Sequence, residues 1–119
     1  MKSILIIDGS EIIAKLFAEV FEKRGWDVDT CGDRDCAMER LTAHNHYDAI
    51  LLGYCVPGTT GVLLVRLIRT LEHHRMTAVV MVTAHDEVTE EALKAGADEV
   101  LLKPINPFAL VWAVDKHVL

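Results

Sequence analysis

The stretch that decides the fold is Ser3-Ile4-Leu5-Ile6-Ile7-Asp8-Gly9-Ser10-Glu11. From Ile4 to Ile7 it is unbroken, apolar and mostly β-branched, and Asp8-Gly9 ends it. An apolar run without alternation suits a strand covered on both faces, as in a parallel sheet. Ser10 then stands where a helix N-cap is wanted. The apolar residues that follow are Ile12, Ile13, Leu16, Phe17, Val20 and Phe21. Their steps of one and three predict a single apolar helical face. Glu11–Lys15 and Glu19–Lys23 stand at i,i+4 on the polar side, and Gly25 is placed to stop the helix.

The same unit repeats along the chain. Trp26–Cys31 reads as a short strand, and Asp33 or Asp35 opens a helix to about Thr42. Asp48–Leu52 is a third strand, followed by an apolar-faced helix over 61–72. Ala78–Val82 is a fourth strand; Asp86 is expected to cap the next helix and Gly96 to end it. Glu99–Leu102 is the fifth strand, and Asn106 with Pro107 opens the last helix. Five strands alternating with five helices predict an α/β chain, a (βα)5 doubly wound parallel sheet in one domain over 1–119. Such sheets place their sites at the carboxyl ends of the strands. That singles out Asp8, Gly9, Gly53, Thr83 and Lys103.

Length and composition agree with one globular domain. The chain has 119 residues, 51% apolar and 25% charged. Its mean hydropathy, +0.25, is high. The excess is expected in doubly buried strands or in a surface that meets a partner. Twelve Lys and Arg against 18 Asp and Glu give a net charge of −6, which argues against sequence-independent nucleic-acid binding. No apolar run approaches the roughly 18 residues of a membrane span, and the apolar stretch in MKSILIID is too short for a signal peptide. Cys31, Cys36 and Cys55 are odd in number and form no CxxC, so small apolar fillers in a reducing cytoplasm are expected. His44-x-His46 lacks a third ligand at a zinc spacing, so no metal is expected there. His73-His74 reads as a pair of cations at the end of the third helix.

Five pieces stand in order across the chain: IIDGSE at 6–11, YDAILLGYCVPGTTG at 47–61, MVTA at 81–84, AGADEVLLKP at 95–104, and Asn106-Pro107. Together they resemble the response-regulator receiver domains of two-component signalling, of the chemotaxis-regulator kind. The resemblance implies a flavodoxin-like sheet with strand order 2-1-3-4-5. It also implies a chemistry. In the family, two acids after the first strand and an acceptor Asp ending the third hold Mg²⁺ through oxygen ligands. The acceptor takes a phosphoryl group as an aspartyl phosphate. A hydroxyl after the fourth strand and a Lys after the fifth receive the phosphoryl oxygens.

Carried over residue by residue, Asp8 fills the first acid position, Thr83 the hydroxyl and Lys103-Pro104 the Lys-Pro pair, where a cis peptide is expected. The second acid position holds Gly9, and the acceptor position holds Gly53. Val100 stands where the family usually has an aromatic. The usual pocket, three carboxylates and one Lys, has net charge −2; Asp8 and Lys103 alone give zero. Mg²⁺ binding is therefore expected to be weak or absent, and Asp8 is expected to pair with Lys103. Glu11 is expected to serve the helix dipole rather than replace a metal ligand. Tyr54 has no visible base to activate it as an acceptor.

These readings imply a degenerate, non-enzymatic receiver: an interaction module for a protein partner such as a histidine kinase, an output domain or another signalling protein. A homodimer is possible; neither nucleic acid nor membrane is expected as a partner. The contact face implied by the family is made by the fourth helix, fifth strand and fifth helix, with Val100, Leu110 and Trp112 as candidates. Two alternatives stand beside it. One is a phosphorylatable receiver with an unconventional acceptor. The other is a small flavodoxin-like ligand binder, for which DGSE is a short phosphate loop. The end at His117-Val118-Leu119 suits a domain cut from a longer protein as well as a single-domain one.

Overall fold

A computed structural model describes residues 1–43 and 46–119, so His44 of the HxH pair lies outside the described residues. The strands are β1 (Ser3–Ile7), β2 (Asp27–Cys31), β3 (Ala49–Leu52), β4 (Cys55–Val56), β5 (Thr59–Thr60), β6 (Ala78–Thr83) and β7 (Glu99–Leu102). The α-helices are α1 (Glu11–Glu22), α2 (Arg34–Thr42), α3 (Gly61–Thr70), α4 (Thr89–Ala95) and α5 (Pro107–His117). Five strands form one parallel sheet in the order β2-β1-β3-β6-β7. Counting sheet strands in chain order, that is 2-1-3-4-5, as expected. The short pair β4–β5 forms a separate antiparallel hairpin, which the sequence reading missed.

Alternation along the strands sorts the core into two layers. Leu5, Ile7, Ile50, Leu52, Val79 and Met81 meet Leu41 of α2, Val65 and Ile68 of α3 and Ala92 of α4. Ile4, Ile6, Leu51, Val80 and Val82 meet Ala14, Ala18 and Phe21 of α1 and Leu110 and Val114 of α5. The three inner strands are buried almost throughout, whereas the edge strands β2 and β7 are largely part-exposed. This is why the inner strands read as continuous apolar runs.

Most helix ends are where local chemistry puts them. Ser10, Asp33, Thr60 and Asn106 cap α1, α2, α3 and α5, each accepting from a first-turn N–H. Asp86 does not cap α4. It opens a 3₁₀ turn, Asp86–Val88, that runs straight into the helix, so the backbone of the turn supplies the entry instead.

The buried face of α1 is also shifted. Ala14, Ala18 and Phe21 face the sheet, while Ile12 and Leu16 are 73% and 53% exposed. The apolar stripe is wider than the contact; the small alanines let the helix lie close, and the larger residues overhang the edge. The pair at the end of α3 divides likewise. His74 is fully buried in a 3₁₀ turn, and burial, with the charges of His73, His46 and Arg69 beside it, pushes its pKa down to about 4. It is a neutral core residue and not a helix-end cation.

The expectation of free cysteines as fillers fails first at Cys31 and Cys36. Cys31 and Cys36 are joined by a disulfide, with Cα atoms 5.4 Å apart. The bridge ties the end of β2 to the first turn of α2, a geometry that the odd cysteine count hid.

Candidate functional site

Asp8, Gly9, Gly53, Thr83 and Lys103 line one open cavity of about 680 Å³ at the carboxyl ends of the strands. Parallel pairing brings them there. Asp8 N–H donates to Cys31 O (3.0 Å), Gly53 N–H to Ile7 O (2.9 Å) and Lys103 N–H to Thr83 O (2.8 Å), which laces the ends of β2, β1 and β3 together and the end of β6 to that of β7. The Lys103–Pro104 peptide is cis.

Asp8 is 6% exposed. Its Oδ1 accepts from Ser10 N–H at 2.8 Å, and its Oδ2 lies 3.9 Å from Lys103 Nζ. The expected pair thus forms at long range. Asp8 is also the only carboxylate lining the cavity among the described residues. Glu11 stands outside it, 3.5 Å from Lys15 in an exposed i,i+4 pair. Thr83 is buried, and its Oγ1 accepts from the His85 N–H at 3.0 Å.

The two glycines are shaped by their surroundings in different ways. A Cβ at Gly53 would lie 3.1 Å from Asp8 Oδ2, a side-chain atom. A Cβ at Gly9 would lie 2.9 Å from Pro57 Cδ and 3.1 Å from the Cys55 carbonyl oxygen. Neither has a positive φ, so the constraint at Gly9 is crowding by the 55–57 loop and not backbone conformation. Gly61 is needed for close approach too. Its N–H donates to Tyr54 O at 2.7 Å, and a Cβ there would fall onto the Gly53 carbonyl.

The donor set does not suit a hard divalent cation. Such an ion wants several oxygen ligands and negative charge; the cavity offers one carboxylate, already facing an amine. Among the described residues no cluster of three or more His, Cys, Asp or Glu is placed to hold a metal.

At the rim stand residues that the sequence reading passed over. Cys55 is exposed and free, not a filler. Its Sγ lies 4.0 Å from His85 Nε2, and His85 Nδ1 lies 3.2 Å from Glu87 Oε1. Cys55 comes two residues after Gly53 and His85 two after Thr83, so adjacency of β3 and β6 was the signal that could have joined them.

Away from the cavity, the candidate contact residues separate. Leu110 is fully buried against the sheet and presents no surface. Val100 is half-buried against the core. Trp112 is 65% exposed, with Lys116 Nζ 4.2 Å from its ring centroid. It opens on a groove between α1 and α5, beside Leu16 and Phe108. No helix among the described residues is long and apolar enough to cross a membrane.

Comparison with known proteins places this architecture. The family model for the response regulator receiver domain matches residues 4–115. The chain is 30% identical over 113 residues to the transcriptional regulatory protein SrrA of Staphylococcus aureus, covering 93% of this chain and 45% of that protein. It therefore spans less than half the length of this curated relative. Among solved structures, it is similar to the chemotaxis response regulator CheY4 of Vibrio cholerae (25% identity, TM-score 0.91, 99% of each chain). It is also similar to the response regulator TrrA of Thermotoga maritima, solved with Mg²⁺ and BeF (27% identity, TM-score 0.88, 99% of this chain and 100% of that one). With the family model matched from the first strand to the last helix, this chain belongs to the response regulator receiver domain family.

Proposed function

We propose that this chain is a receiver domain without an acceptor carboxylate, which signals as a phosphorylation-independent protein-interaction module. The observation that carries this reading is the cavity itself. At the strand end where the family has its acceptor stands Gly53, and the one lining carboxylate, Asp8, faces Lys103 with a summed charge of zero. Glycine offers no oxygen to attack a phosphoryl group. A pocket without net negative charge gives Mg²⁺ little reason to shed its water, so its affinity here is weak or nil. The position of the second family acid, Gly9, is crowded by Pro57 and the Cys55 carbonyl.

The partner in this reading is a protein: a histidine kinase, an output domain, another signalling protein or a second copy. The exposed Trp112 and Phe108 on α5 offer the aromatic anchors that such contacts use. The module works in the cytoplasm and carries out no catalysis of its own. The test is intact mass after incubation with Mg²⁺ and acetyl phosphate. An unchanged mass is expected; a gain of one phosphoryl group would overturn the reading.

A further inference from the structure

The rim of the cavity carries a second chemistry. Cys55 does not stand alone: nucleophile, base and orienting acid follow one another within reach. Parallel β3 and β6 release their loops at the same edge, which brings Cys55 Sγ to 4.0 Å from His85 Nε2. That is long for a sulfur hydrogen bond. Contacts of this kind commonly tighten only when substrate is bound.

The imidazole, about half exposed, makes further contacts. Its Nδ1 lies 3.2 Å from Glu87 Oε1, which assigns the Nδ1–H tautomer and leaves the Nε2 lone pair facing sulfur. Its backbone N–H donates to Thr83 Oγ1 at 3.0 Å, and the Tyr54 ring leans on it with centroids 5.6 Å apart. A thiol, a base and a third group that fixes the base is the arrangement that activates a cysteine nucleophile.

Next to the thiol lies the cavity of about 680 Å³, with Gly9 and Gly53 in its lining. Ser10, Thr59 and Thr60 offer hydroxyls, and Lys103 an amine. The lining is mixed, apolar at Val56, Pro57 and Val82 with these few polar groups between, and leaves room for a small thiol compound. The other two cysteines are bridged to each other and so offer no thiol.

We propose that Cys55 is a base-assisted modification site that takes up a low-molecular-weight disulfide by thiol–disulfide exchange. The Cys55 proton passes to His85 Nε2, and the thiolate attacks one sulfur of the incoming disulfide. A new S–S bond forms at Cys55 as the original one breaks. The departing thiolate takes the proton from His85 and leaves as a thiol. The Cys55 sulfur is oxidised, the departing sulfur is reduced, and no other oxidant is needed. The adduct lies in the space above Gly9 and Gly53. This proposal does not depend on whether the domain can be phosphorylated.

The test is incubation of the whole chain with oxidised glutathione, followed over time by intact mass and peptide mapping. One glutathionyl group on Cys55 is expected, and none there in Cys55→Ser. His85→Ala is expected to slow the reaction by about tenfold or more, and imidazole added to that variant to restore part of the rate, which a merely structural role would not allow. Glu87→Gln should slow it less, and Glu87→Asp should recover most of the loss. Modification only at Cys31 or Cys36, or an unchanged rate in His85→Ala, would overturn the proposal.

Discussion

At the scale of single residues, Gly9 and Gly53 decide the chemistry and respond differently to replacement. Gly53→Asp meets the Asp8 carboxylate, which must give by a few tenths of an ångström, and the Val82 carbonyl only at ordinary contact distance. It is expected to fold but to place two carboxylates against one Lys, a summed charge of −1. Cation binding and phosphodonor labelling should stay weak. Gly9→Asp must push Pro57 and the Cys55 carbonyl outward, at a cost of about 1–3 kcal/mol for overpacking. Adding it to Gly53→Asp supplies the third carboxylate and should raise Mg²⁺-dependent labelling, measured against wild type and each single variant. Labelling of Gly53→Asp as fast as the double variant would refute the need for both acids.

His74 gives a second residue-scale expectation. Its pKa falls from 6.5 to about 4 on folding, first because burial disfavours the charged ring. Among the described residues its buried Nε2 has no hydrogen-bond partner. Between those pH values the unfolded chain binds a proton that the folded chain refuses, so stability drops as pH falls through that window. The loss from this residue approaches about 3 kcal/mol near pH 4 and is absent above pH 7. Urea denaturation across pH 4–7 checks it: His74→Phe should flatten that part of the profile, and an unchanged slope would contradict the assignment.

At the scale of elements, one arginine organises the lower end of the fold. Arg69 of α3 donates to the carbonyls of Gly96, His74, Arg75 and Thr77 at 2.7–3.1 Å and to Asp98 Oδ2 at 2.9 Å. It ties the end of α3 to the chain entering β6 and β7. Arg69→Ala strands those acceptors and should cost about 2–4 kcal/mol by denaturant titration. Arg69→Lys should recover only part, since an ammonium cannot span the same five acceptors. A loss below about 0.5 kcal/mol, the usual size of a surface change, would show that the hub is not structural.

What the sequence made legible at this scale was local. Caps at Ser10, Asp33 and Asn106 and the apolar inner strands are written in neighbouring residues. The β4–β5 hairpin was hidden because two-residue strands have no period. The overhang of Ile12 and Leu16 was hidden because the sheet, not the helix, chooses which part of an apolar stripe is covered. The Cys31–Cys36 bridge and the Cys55–His85–Glu87 array were hidden because they depend on how strand ends meet in space. The missing carboxylates at positions 9 and 53 needed no geometry. What the structure adds is that crowding by Pro57 and Cys55 accompanies the first and that Asp8 leans toward the second.

For the whole molecule, the receiver fold is kept, and on the proposed reading one acid of the switch, Asp8, is kept while the other two are not. The sheet, the strand-end cavity, the buried Thr83, Lys103 and the cis Lys103–Pro104 bond are all in place. The central claim is that such a frame, with Asp8 set against Lys103, takes up no phosphoryl group. It is tested most directly by intact mass spectrometry of the wild-type chain after incubation with Mg²⁺ and acetyl phosphate, beside a receiver with all three carboxylates. The account predicts that the control gains one phosphoryl group while this chain keeps its mass; a matching gain on this chain would contradict it.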